Sequence, residues 1–204
     1  MNRLVIIGAS GHGKVIADIA ENVGYSDIVF LDDSPHAVSC GSYNVVGKCS
    51  DAATLAESDF VVAIGNAVIR KKIQTELSDA GLNIVSLIHP SAVVACTATI
   101  GEGTVVMAGA VVNPYAKIGR GGIVNTCASV DHDCVIGDFV HISVGAHVAG
   151  TVMVGDNTWI GIGASVSNNV SITGGCMIGA GAVVVKDINE PGTYVGVPAR
   201  HIEV

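Results

Sequence analysis

The sequence predicts two domains, an α/β Rossmann-like domain at residues 1–87 and a parallel β-helix at residues 88–204. Isoleucine or valine stands at every sixth position from Ile88 to Val184 without an insertion. Neither the period of an α-helix nor that of a strand produces this pattern, whereas a stacked coil of short strands does. Before Ile88, short apolar segments alternate with amphipathic ones, which is typical of a small parallel sheet with helices.

In the N-terminal domain, the apolar segments and the turns between them predict alternating strands and helices. We expect strands at Arg3–Ile7, Ile28–Leu31, Phe60–Ile64 and Asn83–Leu87, and helices at Lys14–Asn22 and from about Val68 to Ala80. The segment from Pro35 to Leu55 shows no clear periodicity, so its structure is left open.

Each six-residue repeat of the second domain predicts one short strand and one corner of a coil. The isoleucine or valine points inward, because branched side chains suit a pleated wall. Four residues later a small or β-branched residue, such as Ala110 or Ala146, fits the crowded bend. Glycine follows the apolar residue directly in several repeats, as at Gly119 and Gly137, where a corner needs permissive backbone angles.

The composition narrows the function classes. Half of the residues are hydrophobic, 14% are charged, and the net charge is −8, which argues against non-specific binding to nucleic acid or acidic membranes. No apolar run of about 18 residues and no signal-peptide pattern is present, so we expect a cytoplasmic chain. A fused or partner domain that tethers it to a membrane stays an alternative. The six cysteines form no CxxC pair and are expected to be free thiols in a reducing compartment.

A glycine-rich turn follows the first predicted strand. In the segment Gly8–Lys14 (GASGHGK), backbone amides and a helix N-terminus can receive a phosphate, which makes Ser10, Gly11 and His12 candidate ligand-binding residues. The glycine spacing is GxxGxG and differs from the dinucleotide motif GxGxxG, so a nicotinamide cofactor is not expected. The alternative is a tight turn that simply requires glycine.

Polar residues follow the second and third long strands. Asp32 and Asp33 end one of them, and Gly65 ends the other. Open parallel sheets bind ligands beyond the carboxyl ends of their strands, so these residues should share a crevice with the glycine turn. Carboxylates there suit a base edge or hydroxyl groups. Arg70 and its two lysine neighbours would add positive charge, unless they only solvate the start of a helix.

Asp131, His132 and Asp133 form the most reactive constellation in the coil. A histidine can take a proton from an attacking amine, and a neighbouring carboxylate orients the ring and raises its basicity. His132 should point outward, although an outward histidine is often only a surface residue. His141 and His147 fall on neighbouring faces, so the three histidines do not converge and no metal site is predicted.

The chain resembles the hexapeptide-repeat acyltransferases with a left-handed β-helix. Within them it is most similar to the UDP-4-amino-sugar N-acetyltransferases of the bacillosamine pathway and to the sialic-acid O-acetyltransferases. The segments that carry the resemblance are Asn125–Gly137, Phe139–Gly150, Gly196–Arg200, Gly8–Lys14 and Phe30–Asp33.

This resemblance implies roles for individual residues. His132 is the general base and Asp133 its partner, where family members often carry glutamate. His141 is expected to contact acetyl-CoA. Residues that hold the pantetheine arm are expected at equivalent corners of stacked turns, and those that hold the sugar nucleotide in the first domain. The residues expected to hold the pantetheine arm are Gly150, Ile162 and Ala180. Those expected to hold the sugar nucleotide are Ser10, Gly11, His12, Asp32, Asp33 and Gly65.

The expected function is transfer of an acetyl group from acetyl-CoA to the 4-amino group of a UDP-4-amino-4,6-dideoxy sugar, with direct attack and no covalent enzyme intermediate. A sialic-acid O-acetyltransferase and a non-catalytic sugar-nucleotide-binding protein are the alternatives. The sugar stereochemistry and the size of the acyl group are left open. A homotrimer with acetyl-CoA between protomers is expected, because valines such as Val105, Val111 and Val144 stand outside the inward positions.

Overall fold

The computed structural model describes residues 3–34 and 36–203 and divides into two compact units, 1–90 and 91–204. The predicted boundary follows residue 87, and the observed division follows Pro90. Pro35, at the start of the segment without a prediction, lies outside the described residues. No helix in the described part of the chain has the length and apolar character needed to cross a bilayer.

The first unit is a mostly parallel sheet with helices. Its strands are β1 (Leu4–Ile7), β2 (Ile28–Leu31), β3 (Ser39–Cys40), β4 (Tyr43–Gly47), β5 (Asp59–Val62), β6 (Asn83–Ile84) and β7 (Leu87–Ile88), and its helices are α1 (Gly11–Asn22), a 3₁₀ helix (Cys49–Leu55) and α2 (Ala67–Asp79). The sheet order β3-β4-β2-β1-β5-β6 places β1 at the centre, in parallel register with β2 and β5. All four residues of β1 are buried, because the sheet is covered on both faces.

Helix α1 begins at Gly11, three residues before the predicted start at Lys14. The sequence predicts that Gly11 and Gly13 belong to the turn, but both lie in the helix, and Gly13 is required there by packing. A Cβ at position 13 would stand 2.4 Å from the Gly8 carbonyl oxygen and 2.8 Å from the Phe30 ring. Glycine therefore lets the helix approach the sheet closely at this point.

The segment without a prediction contains a hairpin and the 3₁₀ helix. Strands β3 and β4 pair antiparallel, and β4 continues the sheet parallel to β2. The residues of β4 are half-buried or exposed, which explains why this edge strand gives a weak hydrophobic pattern.

The second unit is a coil with three sheets. The first face contains β10 (Val105–Val106), β13 (Ile123–Val124), β16 (His141–Ile142), β19 (Trp159–Ile160), β22 (Met177–Ile178), β24 (Thr193–Val195) and β25 (Arg200–Ile202). The second face contains β8 (Val93–Val94), β11 (Val111–Val112), β14 (Ser129–Val130), β17 (His147–Val148), β20 (Ser165–Val166) and β23 (Val183–Val184). The third face contains β9 (Thr99–Ile100), β12 (Lys117–Ile118), β15 (Val135–Ile136), β18 (Met153–Val154) and β21 (Ser171–Ile172). All described strand pairs of the coil are parallel except that of β24 with β25.

The register of the coil places equivalent residues of successive turns one above another. Ser129 pairs with His147 and His147 with Ser165, so one turn comprises three hexads. The inward valines and isoleucines from Val106 to Val184 are buried and form one continuous core with the small corner residues. Burial of each such side chain stabilises the fold by about 1.5–3 kcal/mol, which the repeat multiplies along the coil.

Three rows of corners connect the faces. The His132 corner, between the second and third faces, consists of residues 114–115, 132–133, 150–151 and 168–169. The Ile162 corner, between the first and second faces, consists of residues 126–127, 144–145, 162–163 and 180–181. The two rows differ in chemistry, because the left-handed position is glycine in the later turns of the Ile162 corner but Asp133, Thr151 or Asn169 in the His132 corner.

The outward valines do not form one apolar surface. Val105 is only 1% exposed, which contradicts its interpretation as a surface residue, whereas Val144 is 43% exposed. Val105 belongs to a column on the first face with Ile123 and His141, which are also buried. The exposed valines that were expected on the coil therefore lie outside this column, as Val144 does.

Candidate active site

His132 and Asp133 occupy one bend of the His132 corner, and their side chains are about half exposed. The Nδ1 atom of His132 lies 2.8 Å from Oδ2 of Asp133. Asp133 adopts a left-handed backbone conformation with φ of 59°, which aspartate tolerates better than most residues. This conformation lets the short aspartate arm reach the ring of the preceding residue.

The surroundings of His132 favour its protonated form. The hydrogen bond to Asp133 raises the pKa of His132 above its usual 6.5, and the charges of Asp131 and Asp133 act in the same direction. In the neutral ring, Nδ1 carries the proton that it donates to Asp133, so Nε2 keeps its lone pair. The pair therefore presents a basic nitrogen, Nε2, on the outside of the coil.

Gly150 lies under the imidazole of His132, one turn further along the coil. A Cβ at position 150 would stand 2.6 Å from Nε2 and 2.7 Å from Cε1 of His132. The prediction that Gly150 shares a corner with Ile162 and Ala180 is wrong. Gly150 and Ile162 are two hexads apart, which is less than a full turn of three hexads. Gly150 therefore falls on the His132 corner, whereas Ile162 and Ala180 fall on the Ile162 corner.

Ile162 and Ala180 are stacked on the Ile162 corner, where the Gly181 amide donates to the Ile162 carbonyl at 2.8 Å. Ile162 is 59% exposed. The neighbouring Gly163 and Gly181 face open space, since a Cβ on either would have no heavy atom within 4 Å. The corner thus offers a narrow track of exposed apolar side chains and accessible backbone, which suits an extended ligand such as a pantetheine arm.

His141 projects from the first face and is nearly buried, with 6% exposure. Asn125 fixes its tautomer: Oδ1 of Asn125 accepts the Thr126 amide, so Nδ2 of Asn125 faces Nε2 of His141 at 3.0 Å. Because Nε2 then accepts, the proton of a neutral ring resides on Nδ1. The ring also contacts Trp159, with 4.5 Å between centroids. His141 is therefore held as a hydrogen-bond donor.

The coil does not bring His132 and His141 together within one chain. His132 stands on the corner between the second and third faces, and His141 projects from the first face, which is opposite that corner. His147 lies on the second face with its Nδ1 atom 2.8 Å from Oγ of Ser129. Among residues 3–34 and 36–203, no group of three histidine, cysteine or acidic side chains is arranged to hold a metal ion.

In the first unit, Asp32 holds the glycine turn in place. Its Oδ2 accepts the Ala9 amide at 2.6 Å, and its Oδ1 accepts the Ser34 amide at 2.8 Å. The structure confirms that the turn and the end of β2 are adjacent. It also shows that both oxygens of Asp32 already serve the protein, so this carboxylate shapes the crevice.

The start of α1 opens towards solvent. Ser10 is the N-cap, its side chain makes no capping hydrogen bond, and a Cβ on Gly11 would meet nothing within 4 Å. The first amides of a helix have no acceptor within the helix, and they carry the positive end of its dipole. Ser10, Gly11 and His12 therefore form a place where a phosphate can approach the backbone.

Arg70 is a buried cation rather than a surface one, and it donates a hydrogen bond to the Gly65 carbonyl. Its Nη1 atom donates to the carbonyl oxygens of Ile64 and Gly65 at 2.8 and 2.7 Å, and the residue is 1% exposed. Burial lowers the pKa of Arg70 to about 10. Burial, together with the charge of Arg70, lowers the pKa of His12 to about 4, so His12 is neutral at neutral pH.

Asp33 faces the other side of the sheet from α1. Its Oδ1 accepts the Cys49 amide at 2.9 Å, and it lines a cleft of about 350 Å³ between the 3₁₀ helix and α2. Ile7, Ile73 and Leu77 give this cleft an apolar floor. Asp32 and Asp33 are thus neighbours in sequence with different surroundings.

Sequence reasoning missed Asn125, Trp159 and Asn113, which contact the predicted site residues. Trp159 stands one turn after His141, and Asn113 one turn before Asp131, where its Nδ2 atom donates to the Asp131 carboxylate. The spacing of one full turn could have found Trp159 and Asn113. Asn125 lies 16 positions before His141 and falls outside that spacing.

Comparison with known proteins gives matches over the whole chain. The family model of the PglD N-terminal domain matches residues 3–77. The acetyltransferase domain of PglB from Neisseria gonorrhoeae FA1090, in complex with acetyl coenzyme A, is 43% identical, with a TM-score of 0.96 over 98% of this chain and 99% of that one. PerB from Caulobacter crescentus, in complex with CoA and GDP-perosamine, is 37% identical, with a TM-score of 0.94 over 100% of this chain and 98% of that one.

A curated relative supports the same grouping. UDP-N-acetylbacillosamine N-acetyltransferase of Bacillus subtilis (strain 168) is 36% identical over 113 residues, which are 53% of this chain and 52% of the relative. The chain thus matches about half of the length of that relative.

Proposed function

Because this chain belongs to the bacillosamine-pathway family of hexapeptide-repeat acyltransferases with a left-handed β-helix, we propose that it is an acetyl-CoA-dependent N-acetyltransferase. The acceptor is the 4-amino group of a UDP-4-amino-4,6-dideoxy sugar. The observation that carries the proposal is the hydrogen bond between Nδ1 of His132 and Asp133, which leaves Nε2 as an outward base. The relatives supply the donor chemistry, since one is in complex with acetyl-CoA and another with CoA.

In this mechanism the acceptor amine attacks the thioester carbonyl directly. As the C–N bond forms, Nε2 of His132 takes a proton from the nitrogen, and Asp133 stabilises the imidazolium. The tetrahedral intermediate then expels the CoA thiolate as the C–S bond breaks, and the imidazolium returns the proton to sulfur. An amine needs no covalent enzyme intermediate, and the only side chains beside His132 in its bend are carboxylates held by hydrogen bonds.

The first unit binds the sugar nucleotide in this proposal. The amides at Gly11 and His12 receive the diphosphate, and the crevice that Asp32 shapes holds the rest of the nucleotide. The coil is poorly suited to this task, because residues 88–184 contain only Lys117 and Arg120 as basic side chains. The neutral His12 can accept or donate one hydrogen bond without repelling or trapping an anion.

The chain acts as a homotrimer in this proposal, with acetyl-CoA between two protomers. His132 and His141 lie on opposite parts of one coil, so both can serve one reaction only if they come from neighbouring copies. Cyclic closure then brings the His132 corner of one copy to the first face of the next, with the Ile162 track beside it. We place the reaction in the cytoplasm, where the six free cysteines would stay reduced.

A panel assay tests the function. The purified chain is supplied with acetyl-CoA and with UDP-4-amino-4,6-dideoxy sugars, GDP-4-amino-4,6-dideoxy sugars or free sialic acid, and the released CoA thiol is measured together with the product mass. We expect thiol release and a product heavier by one acetyl group with the UDP-amino sugars. Turnover with sialic acid alone would show an O-acetyltransferase, and absence of turnover with every acceptor would remove the enzymatic function.

A further inference from the structure

One oxygen of Asp131 joins two turns of the coil next to the proposed base. Oδ1 of Asp131 accepts the Nδ2 hydrogen of Asn113, one turn earlier, at 2.8 Å. The same oxygen accepts the backbone amide of His132 at 2.7 Å. Asn113 and Asp131 are not part of the hydrophobic core, and they take no part in the contact between His132 and Asp133. Neither core packing nor that contact therefore explains why the two residues are hydrogen-bonded.

The two hydrogen bonds determine the direction in which the His132 side chain projects from the coil. The amide of His132 is the first backbone donor of the bend, and holding it fixes the direction of the Cα–Cβ bond. Asn113 in turn fixes the carboxylate, because Asp131 would otherwise rotate freely about its side-chain bonds. Gly150 restricts the ring from below and Asp133 holds Nδ1, so the imidazole is restrained at three points.

Asp131 also places a negative charge near the ring. The hydrogen bond from the His132 amide, followed by that from Asn113, lowers the pKa of Asp131 and keeps it ionised at neutral pH. The ring is flanked by the charged groups Asp131 and Asp133 in its own turn. The turns before and after it contribute Pro114, Tyr115, Gly150 and Thr151, none of which is a cation.

We propose that Asn113 and Asp131 are positioning residues for His132: Asn113 locks the Asp131 carboxylate, which anchors the backbone of the base and supplies a second negative charge beside its ring. This inference rests on the proposed function for its effect on turnover. Its effect on the ring itself can be measured without any substrate.

The chain provides a matched control on another corner. Asp156 also uses Oδ1 to accept a backbone amide, that of Asp138 one turn earlier, at 2.8 Å. It lies on the corner between the third and first faces, away from His132. Asp156→Asn therefore makes the same chemical change, with the same loss of net charge, in the same kind of bend.

The test compares Asp131→Asn, Asn113→Ala and Asp156→Asn. Asparagine at position 131 keeps an acceptor oxygen but removes the charge, whereas Asn113→Ala keeps the charge but releases the carboxylate. The His132 ring is titrated by NMR of histidine-labelled protein, and kcat/KM for the acceptor is measured against pH. We expect Asp131→Asn to lower the pKa of His132, to move the acid limb of the rate profile to lower pH, and to reduce kcat about tenfold.

Asn113→Ala should reduce kcat by several-fold while the KM for acetyl-CoA is unchanged, and Asp156→Asn should alter neither the titration nor the rate. An unchanged His132 titration in Asp131→Asn, together with an unchanged kcat in Asn113→Ala, would overturn the proposal. If the wild-type chain itself shows no turnover, the proposed function fails, and the titration alone then decides whether Asp131 acts on the ring.

Discussion

The imidazole of His132 lies directly against Gly150 of the next turn, so close that a Cβ at position 150 would stand 2.6 Å from Nε2. Gly150 was expected to offer backbone groups to the CoA arm. Its position also leaves room for the ring of His132, the proposed base. The glycine at this corner of the repeat thus determines where Nε2 of His132 can lie.

The Gly150→Ala variant should misplace the base. The new methyl group displaces the His132 ring from its position against residue 150. A misplacement on the order of 1 Å costs about 10²-fold in kcat. The measurement is kcat for wild type, Gly150→Ala, His132→Ala and the double variant. Once His132 is alanine, the change at position 150 should have no further effect. A further loss in the double variant would assign Gly150 to substrate binding.

His132→Ala should remove the general base and leave the fold intact, because the side chain is outside the core. We expect kcat to fall by about 10²–10⁴-fold, the usual contribution of general base catalysis. Acetyl-CoA binding, measured by calorimetry, should stay within a factor of about two. A folded variant with wild-type turnover would exclude His132 from the mechanism.

The pH dependence should report the contact between His132 and Asp133. The base must be neutral, so activity rises with pH as His132 loses its proton, and that rise lies above pH 6.5 because the pKa is raised. Asp133→Asn preserves the left-handed bend, which asparagine tolerates. It removes the charge, so the acid limb should move to lower pH while the plateau of kcat falls. An unmoved limb would show that another group titrates.

Gly11→Val should affect the acceptor alone. Its side chain would extend into open space at the start of α1, so folding is preserved and the approach of a phosphate is blocked. The KM for the sugar nucleotide should rise about tenfold, which corresponds to about 1.4 kcal/mol of binding energy. Gly11→Ala is the smaller control. A raised KM for acetyl-CoA with an unchanged acceptor KM would mean that the substrates are assigned to the wrong units.

The trimer can be tested through complementation. Light scattering should give about three times the mass of one chain. His132→Ala and His141→Ala chains should each be inactive, and their co-expression should restore activity at about a quarter of the interfaces, where each copy supplies the histidine that the other lacks. If co-expression restored no activity, both histidines would have to come from the same chain, which would place the reaction within one protomer.

The hexad pattern was sufficient to predict the coil, because burial of one branched residue in six is the same requirement at every turn. It was not sufficient to predict the columns, which depend on counting turns of three hexads. Gly150 illustrates this, because it is two hexads from Ile162 and therefore lies on a different corner. In the first unit, the roles of Asp32 and Arg70 could not be derived from sequence, because hydrogen bonds to distant backbone atoms decide them.

The three-hexad turn also sets what lengthening this coil can do. Insertion of a single hexad between Gly119 and Asp131 would keep every valine and isoleucine inward, so the core would form as before. It would nevertheless shift every later residue by one corner and separate Asp131 from Asn113, which now lie 18 positions apart. Insertion of three hexads after Asn169 alone would instead leave every column, and the contact between Asn113 and Asp131, in place. Insertions of six residues are thus compatible with folding, whereas the arrangement around His132 tolerates only insertions of eighteen residues, placed outside the segment from Asn113 to Gly150.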